Sequence, residues 1–148
     1  MGAITLNNII VTPLAQIPTE GGDVMHAMKA GDAEYSGFGE AYFSRIASGS
    51  IKAWKRHTKM VMNLIVPVGM VRFVFHLESD SPLQNFRVIE IGEENYARIT
   101  VPPGIWFGFQ GLGQLHNLVL NISSISHDSI EAERKPASEF VFDWNLGK

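Results

Sequence analysis

The sequence predicts an all-β domain, a double-sheet jelly roll with few short helices, on two observations. About ten short runs rich in β-branched and aromatic residues alternate with period two, and turn residues separate them at intervals of roughly 8–12 residues. No stretch longer than about eight residues keeps the period of a core helix. Strands at this spacing are typical of sandwiches and barrels, of which the jelly roll is a common small form. The runs cover residues 4–11, 40–47, 51–57, 60–66, 70–77, 86–91, 97–101, 105–109, 117–122 and 140–144.

The clearest predicted strand is MVRFVFHL, residues 70–77. Its odd-numbered residues are all apolar and share one face, whereas the other face mixes apolar, basic and histidine side chains. We therefore expect this strand to be covered on both sides. A turn is expected at residues 79–82, and the best candidates for short helices are residues 26–34 and 129–135.

Composition narrows the class of protein. The chain has 148 residues, 45% of them hydrophobic, and 12 Lys and Arg against 15 Asp and Glu give a net charge of −3. These values predict one folded domain over residues 1–148. The absence of cysteine excludes thiol nucleophiles and cysteine-ligated zinc, and it fits a reducing compartment, for which the cytoplasm is the default. Without a signal peptide pattern, a long apolar run or a basic block, we expect a small-molecule partner, with no membrane and no nucleic acid.

The segment GSIKAWKRHTKMVMNLIVPVG resembles the first motif of the cupins in its spacing, and PPGIWF resembles the second. The spacing is kept, but among the metal-ligand positions of the cupin pattern only His57 is a donor. A bound metal needs about three or four protein ligands, so the resemblance implies a cupin without metal. The positions that match the two motifs are Gly49, Lys55, His57, Met62, Gly69, Pro102, Gly104 and Phe107.

A closer resemblance covers nearly the whole chain and is to dTDP-4-dehydrorhamnose 3,5-epimerase and its relatives, which act on nucleotide-linked 4-keto-6-deoxy sugars. Four landmarks carry the resemblance in order. They are FGEAYFSRIASGSIKAWKRH, GMVRFVFHLESDSP, EIGEENYARITVPPGIWFGF and the closing FVFDW. The Lys-x-Trp-Lys-Arg-His and Pro-Pro-Gly-x-Trp sequences resemble a side branch of sugar-epimerase-like proteins from polysaccharide gene sets.

The resemblance also shows which family residues this chain replaces. Lys55 stands where the family has its catalytic histidine, and Phe107 stands where it has a second pocket histidine. The tyrosine that acts as the family's general acid falls at Leu120. Lys52 takes the place of an arginine that helps to hold the diphosphate. The base and the acid of the family are therefore not simply transferable to this chain.

Epimerisation next to a ketone needs a base, a group that stabilises the enolate and an acid. Lys55 can be that base only if burial and cationic neighbours such as Lys52, Arg56 and His57 lower its pKa. Otherwise it is a fixed cation that stabilises an enolate or binds phosphate. His57 is the other catalytic candidate because histidine exchanges a proton near neutral pH. The alternative reading of the Lys-Arg-His sequence is a solvated cationic edge that protects the sheet.

Strict alternation places Lys55 and His57 on one face of their strand, and Lys52, Trp54 and Arg56 on the other. The family presents its arginine and histidine together. A bend in the strand is therefore expected if the resemblance holds.

The remaining binding candidates lie on other strands. Glu40 and Tyr42 alternate onto one face, where they can contact substrate or serve a surface role. Trp54 and Trp106 can stack on a base or sugar, although buried aromatic residues on strands are more often core. Phe107 occupies a pocket position, and Asn121, if half-buried, needs hydrogen-bond partners that a sugar can supply. These residues place the pocket between the sheets, bounded by strands 40–47, 51–57, 60–66, 105–109 and 117–122.

The sequence and the resemblance together predict a homodimeric, metal-free cupin in the cytoplasm that binds a nucleoside-diphosphate sugar. The expected reaction is epimerisation or isomerisation of a dTDP-4-keto-6-deoxyhexose for surface polysaccharide such as the lipopolysaccharide O-antigen. No cofactor is expected, since neither a dinucleotide-binding nor a phosphate-loop motif is present. Two alternatives stay open: a non-catalytic binding or accessory cupin, and a ketoisomerase that moves the carbonyl.

Overall fold

The computed structural model describes residues 3–78 and 85–145, which form twelve strands and two short 3-10 helices. The strands are β1 (Ile10–Pro13), β2 (Gln16–Thr19), β3 (Gly22–Met25), β4 (Glu40–Arg45), β5 (Ile51–His57), β6 (Met62–Val68), β7 (Met70–His76), β8 (Phe86–Gly92), β9 (Ala97–Val101), β10 (Trp106–Gly111), β11 (Leu118–Ser123) and β12 (Ala132–Arg134). The 3-10 helices are Leu6–Asn8 and Ala137–Glu139.

Ten of these strands form two five-stranded antiparallel sheets. The first sheet has the order β1-β9-β6-β11-β4, and the second has the order β12-β5-β10-β7-β8. Strands β2 and β3 form a separate hairpin. Most neighbours within a sheet are not consecutive in the chain, so the connections cross between sheets, as they do in a jelly roll. The expected all-β fold is confirmed.

Strand β7 shows how the sequence pattern builds two layers of packing. Val71, Phe73 and Phe75 are fully buried in the core between the sheets. On the opposite face, Val74 joins a second aromatic cluster, completed by Trp54, Trp106, Phe140 and Trp144. The expectation that this strand is covered on both sides is confirmed.

Two predicted strands differ from the structure. Of residues 4–11, only the end belongs to β1, because Leu6–Asn8 turn as a 3-10 helix that buries Leu6 in the core. Residues 140–144 form no strand, although Phe140 and Trp144 pack on the second sheet. Alternation of apolar and polar residues indicates only that one face of a segment is buried. An extended segment can bury one face without forming the hydrogen bonds of a β-ladder.

Neither helix candidate is helical. Residues 129–135 contain β12, which pairs with β5. Residues 26–34 are irregular and are tied to the first sheet by the buried Arg98, whose guanidinium donates to Ala27 O, Asp32 Oδ2 and Glu34 Oε1. Tertiary hydrogen bonds thus override the local pattern. The turn expected at residues 79–82 lies outside the described residues.

Candidate functional site

A cavity of about 370 Å³ opens between the two sheets. Its walls come from β4 and β11 of the first sheet, with Met62 of β6, and from β5, β10 and β12 of the second. Five of these strands are those that the sequence analysis named as the pocket boundary. The sixth, β12, was not foreseen because its residues had been assigned to a candidate helix.

A bulge in β5 brings Lys52 and Lys55 to the same side. In the pairing with β10, Lys55 lies opposite Phe107 and Lys52 lies opposite Phe109, so three steps on β5 match two on β10. Both lysines line the cavity, and the two residues between them, Ala53 and Trp54, border it while also packing in the aromatic cluster. The expected bend in this strand is confirmed.

Gly108 is the residue that makes room for the bulge. A Cβ atom at this position would lie 2.5 Å from the Cβ of Ala53 and 3.0 Å from its Cα. Such a contact is too short for either rigid group to accept, so a side chain larger than hydrogen would displace the bulge. The Ala53–Trp54 peptide bond within it is cis.

Lys55 is half-buried and faces the cavity. Burial lowers its pKa and the positive charge of Arg134 lowers it further, while Glu131 and Glu40 act in the opposite direction. The contributing cation is thus Arg134, and not the three neighbours on its own strand that the sequence suggested. Within residues 3–78 and 85–145, no hydrogen bond or ion pair holds the Lys55 ammonium group. Burial and the charge of Arg134 both make the Lys55 amine easier to deprotonate than that of an exposed lysine.

His57 is buried behind the cavity and does not line it. Its Nδ1 donates to Glu131 Oε1 at 2.6 Å, and its ring lies 6.0 Å from that of Phe107, which does line the cavity. Burial lowers the pKa of His57 more than the hydrogen bond to Glu131 raises it. Its Nε2 has no hydrogen-bond partner in the described part of the chain.

Glu131 anchors His57 and the start of β12. Its Oε2 accepts the backbone N–H groups of residues 58, 59 and 60 at 3.1, 3.1 and 3.0 Å. Burial raises the pKa of Glu131, but the hydrogen bonds from His57 and from the backbone outweigh burial, so its pKa lies below its ordinary value. The sequence analysis did not identify Glu131 as a site residue. Nothing in the sequence around residue 131 indicates that its carboxylate binds the backbone of residues 58–60.

Tyr42 and Asn121 are paired across β4 and β11 and both line the cavity. Burial raises the pKa of Tyr42, with a further contribution from Glu40. Asn121 Nδ2 donates to Ser44 Oγ at 3.0 Å and to two backbone carbonyls. Asn121 therefore faces the cavity, whereas Leu120, where the resemblance placed the family tyrosine, does not line it. Glu40 lies outside the lining and acts on it through its charge.

The two tryptophans proposed as stacking residues are part of the aromatic cluster. Trp54 borders the cavity, but its ring packs between Phe140 and Trp144, and its Nε1 donates to Ala137 O. Trp106 does not line the cavity and is fully buried. Indole rings enclosed in this way cannot stack on a ligand in the cavity, so the position of both corrects the expected role.

Arg134 at the end of β12 and Lys135 directly after it complete the lining. Arg134 is exposed at the cavity and has no ion pair within the described ranges. The Nζ of Lys135 instead lies 3.5 Å from Glu78 Oε2 and 5.0 Å from the Trp106 ring centre. Lys52 Nζ donates to Arg45 O at 3.0 Å. The cavity thus carries four basic side chains above an apolar floor that includes Phe107 and Phe109. Of the four, Lys52, Lys55 and Arg134 have no ion pair in the described residues.

Over the described residues, no group of three or more His, Cys, Asp or Glu side chains is arranged to hold a metal ion. In the same residues, no helix is long and apolar enough to cross a membrane.

Comparison with known proteins agrees with this geometry. No family model matches the chain. A dTDP sugar isomerase from Desulfovibrio desulfuricans G20 superposes with a TM-score of 0.88 at 35% identity, covering 99% of this chain and 98% of that one. The probable low-salt glycan biosynthesis epimerase Agl13 of Haloferax volcanii is 29% identical over 112 residues, 71% of this chain and 72% of its own.

A third comparison concerns the fold. The dTDP-4-dehydrorhamnose 3,5-epimerase of Sulfolobus tokodaii superposes with a TM-score of 0.80 at 19% identity, covering 99% of this chain and 85% of that one. The two-sheet jelly roll, the cavity between its sheets and the full-length match to a dTDP sugar isomerase lead to one conclusion: the chain belongs to the RmlC-like cupin family of dTDP-sugar epimerases and isomerases.

Proposed function

We propose that this protein epimerises or isomerises a dTDP-4-keto-6-deoxyhexose by removing a proton next to the ketone, in the synthesis of a surface polysaccharide. The observation that carries the proposal is the bulge that places Lys52 and Lys55 together in the cavity. The names of the relatives support the substrate class, since one is a dTDP sugar isomerase and another a glycan biosynthesis epimerase.

The proposed base is Lys55. Its pKa is lowered by burial and by Arg134, which increases the fraction of neutral amine able to accept a proton. Tyr42 is the proposed proton donor, because a tyrosine hydroxyl is protonated at neutral pH and Tyr42 lies on the first sheet whereas Lys55 lies on the second. Inversion requires a proton to leave one face of the sugar and return to the other, and groups on opposite walls meet this requirement.

The other residues have supporting roles in the proposal. Lys52 binds the diphosphate, Asn121 offers its amide to the sugar, and Phe107 forms the apolar floor under it. His57 is the second candidate for proton exchange, since its Nε2 has no partner in the described part of the chain. Its burial outside the cavity lining makes Lys55 the more direct candidate.

A second candidate function is a binding or accessory cupin without turnover. The replacement of both family histidines by Lys55 and Phe107 favours it. A 3,4-ketoisomerase would also start with proton removal next to the ketone but would move the carbonyl.

The test is to mix the protein with dTDP-4-keto-6-deoxyglucose in deuterated water and to follow the ring protons by NMR. We expect exchange at C3 or C5 above the rate without enzyme, and loss of that exchange in Lys55→Met. Loss of the C3 proton with a new carbonyl signal at C3 would identify a ketoisomerase. Broadened ligand lines without exchange would support the accessory cupin, and neither broadening nor exchange would refute the substrate class.

The protein is further proposed to be a cytoplasmic homodimer. Strand β4 is an edge of the first sheet and exposes Phe43 at 64%, and Phe38, which precedes the strand, is exposed at 62%. An open edge with exposed aromatic residues is suited to pairing with a second copy. Sedimentation should give twice the monomer mass for the wild type, and Phe43→Glu should shift the protein toward the monomer. The absence of cysteine favours the cytoplasm, which fractionation of the source cells tests.

A further inference from the structure

Strand β12 places a second cation directly beside Lys55. In the antiparallel pairing of β12 with β5, Arg134 is the register partner of Lys55. Directly opposed residues of such a pair project to the same face, and both of these line the cavity. Like charges in this arrangement repel each other, which destabilises the empty sheet.

The next pair along the same two strands is neutralised. Arg56 is the register partner of Glu133, and its guanidinium bonds both carboxylate oxygens of Glu133 at 2.9 and 3.0 Å. It also bonds Glu78 at 3.1 Å. The outer face of this strand pair therefore has acidic partners for its cation, whereas in the described residues no acidic side chain forms a hydrogen bond or ion pair with Lys55 or Arg134 on the inner face.

The charged groups that face Lys55 leave a net positive site. Arg134 acts from β12, Glu131 from the segment before it and Glu40 from β4. Glu131 is already engaged by His57 and three backbone N–H groups, and Glu40 does not line the cavity. Arg134 also lowers the pKa of Tyr42 and of His57, so its charge reaches every titratable group that we assign to the reaction.

We propose that Arg134 binds an anionic oxygen of the nucleotide sugar beside Lys55. The inference deepens the proposed function and rests on it for the identity of the ligand. A planar guanidinium with five donors is suited to such an oxygen, and binding there relieves the repulsion within the cross-strand pair. The oxygen has two sources: the diphosphate of the bound nucleotide, and the enolate that forms when the proton leaves.

The experiment compares Arg134→Gln and Arg134→Lys with Arg56→Gln as the matched control. Arg56→Gln removes a cation from the same strand pair, but on the face away from the cavity. Calorimetry measures the affinity for dTDP and for inorganic pyrophosphate, and NMR in deuterated water measures exchange at saturating dTDP-4-keto-6-deoxyglucose. Circular dichroism verifies that each variant is folded.

The two sources give different results. If the diphosphate is bound, the dissociation constants of dTDP and pyrophosphate rise about tenfold or more in Arg134→Gln, recover in part in Arg134→Lys and stay unchanged in Arg56→Gln. If the enolate is bound, dTDP affinity stays within about twofold while the exchange rate falls about tenfold or more.

The inference is overturned if folded Arg134→Gln matches Arg56→Gln in both affinity and exchange. The proposed function fails separately if wild type binds pyrophosphate through Arg134 but neither binds nor exchanges the dTDP-sugar. Absence of any anion binding by wild type refutes both.

Discussion

The two faces of the second sheet are built from the same strands but are opposite in character. The outer face is closed by the aromatic cluster around Trp54 and Trp106, and its charged side chains are paired. The inner face at the cavity carries the cross-strand pair of Lys55 and Arg134, which has no ion pair in the described residues. Complete packing and neutralised charge stabilise a fold, whereas open volume and uncompensated charge are features of a ligand site. Substitutions on the outer face should therefore change stability, and those on the inner face should change binding or turnover.

The largest effect is expected on the outer face. Trp54→Ala removes a side chain that is 1% exposed and contacts the rings of Phe86, Phe140 and Trp144. The loss of packing should lower the free energy of unfolding by about 3–5 kcal/mol, measured by urea denaturation. Leu115→Ala, at a position that is 86% exposed, is the control and should change it by less than about 0.5 kcal/mol. A loss below about 1 kcal/mol for Trp54→Ala would show that the outer cluster contributes little.

Gly108→Ala tests the connection between the two faces. The new methyl group meets Ala53, so the bulge must shift at a cost of about 1–3 kcal/mol. Because the bulge alone places Lys52 and Lys55 on one side, we also expect weaker dTDP binding by calorimetry. Gly31→Ala adds a methyl group with no atom within 4 Å and serves as the control. Unchanged dTDP affinity in Gly108→Ala would show that the bulge is not needed for dTDP binding.

Lowering the pH should destabilise the fold through His57, which lies on the cavity side of the second sheet. Burial lowers the pKa of His57, so the unfolded chain binds its proton first as pH falls below about 6.5. Stability should therefore fall between about pH 6.5 and the lower pKa of the folded state, by at most about 1.4 kcal/mol per pH unit for this residue. On the outer face, the hydrogen bond from Trp106 holds the pKa of Glu78 below its ordinary value, so that carboxylate stays ionised.

The measurement is the denaturation midpoint of wild type and His57→Gln from pH 7.5 to 5.5. The variant should show the shallower dependence, since glutamine can still donate to Glu131 but does not titrate. Equal slopes would mean that folding leaves the pKa of His57 unchanged, which would contradict the effect of its burial.

The smallest expected effect is a gain in stability from Lys55→Met. The pKa of Lys55 is lowered in the folded state, so the unfolded chain holds more protons between that value and about 10.4, and stability rises with pH across this window. Below the window, the ammonium group destabilises the folded state. Its removal should therefore raise the free energy of unfolding at pH 7 by about 0.2–1 kcal/mol while exchange is lost.

Thermal denaturation of wild type and Lys55→Met at pH 7 and pH 10 tests whether the substitution stabilises the protein. The increase in stability should be smaller at pH 10. A variant that is less stable than wild type at both values would contradict the proposed repulsion from Arg134.

Local patterns predicted the strands that carry the site because side-chain alternation and burial coincide there. Residues 51–57 and 97–101 were predicted with the bounds that β5 and β9 have in the structure. The position of Lys55 in the cavity followed from its place in the family pattern. Where local pattern and tertiary packing disagree, as at residues 129–135, the sequence alone misassigned the element, and Glu131 and Arg134 were missed with it.

The sequence by itself determined the all-β class and the alternation that fills the core. Each of these depends on residue type and on spacing within one strand. Only the tertiary structure decided that Lys52 and Lys55 share a face, that Arg134 stands beside Lys55 and that the tryptophans belong to the outer cluster. These outcomes depend on the register between strands distant in the chain, and register is set by packing across the whole sheet rather than by any local pattern.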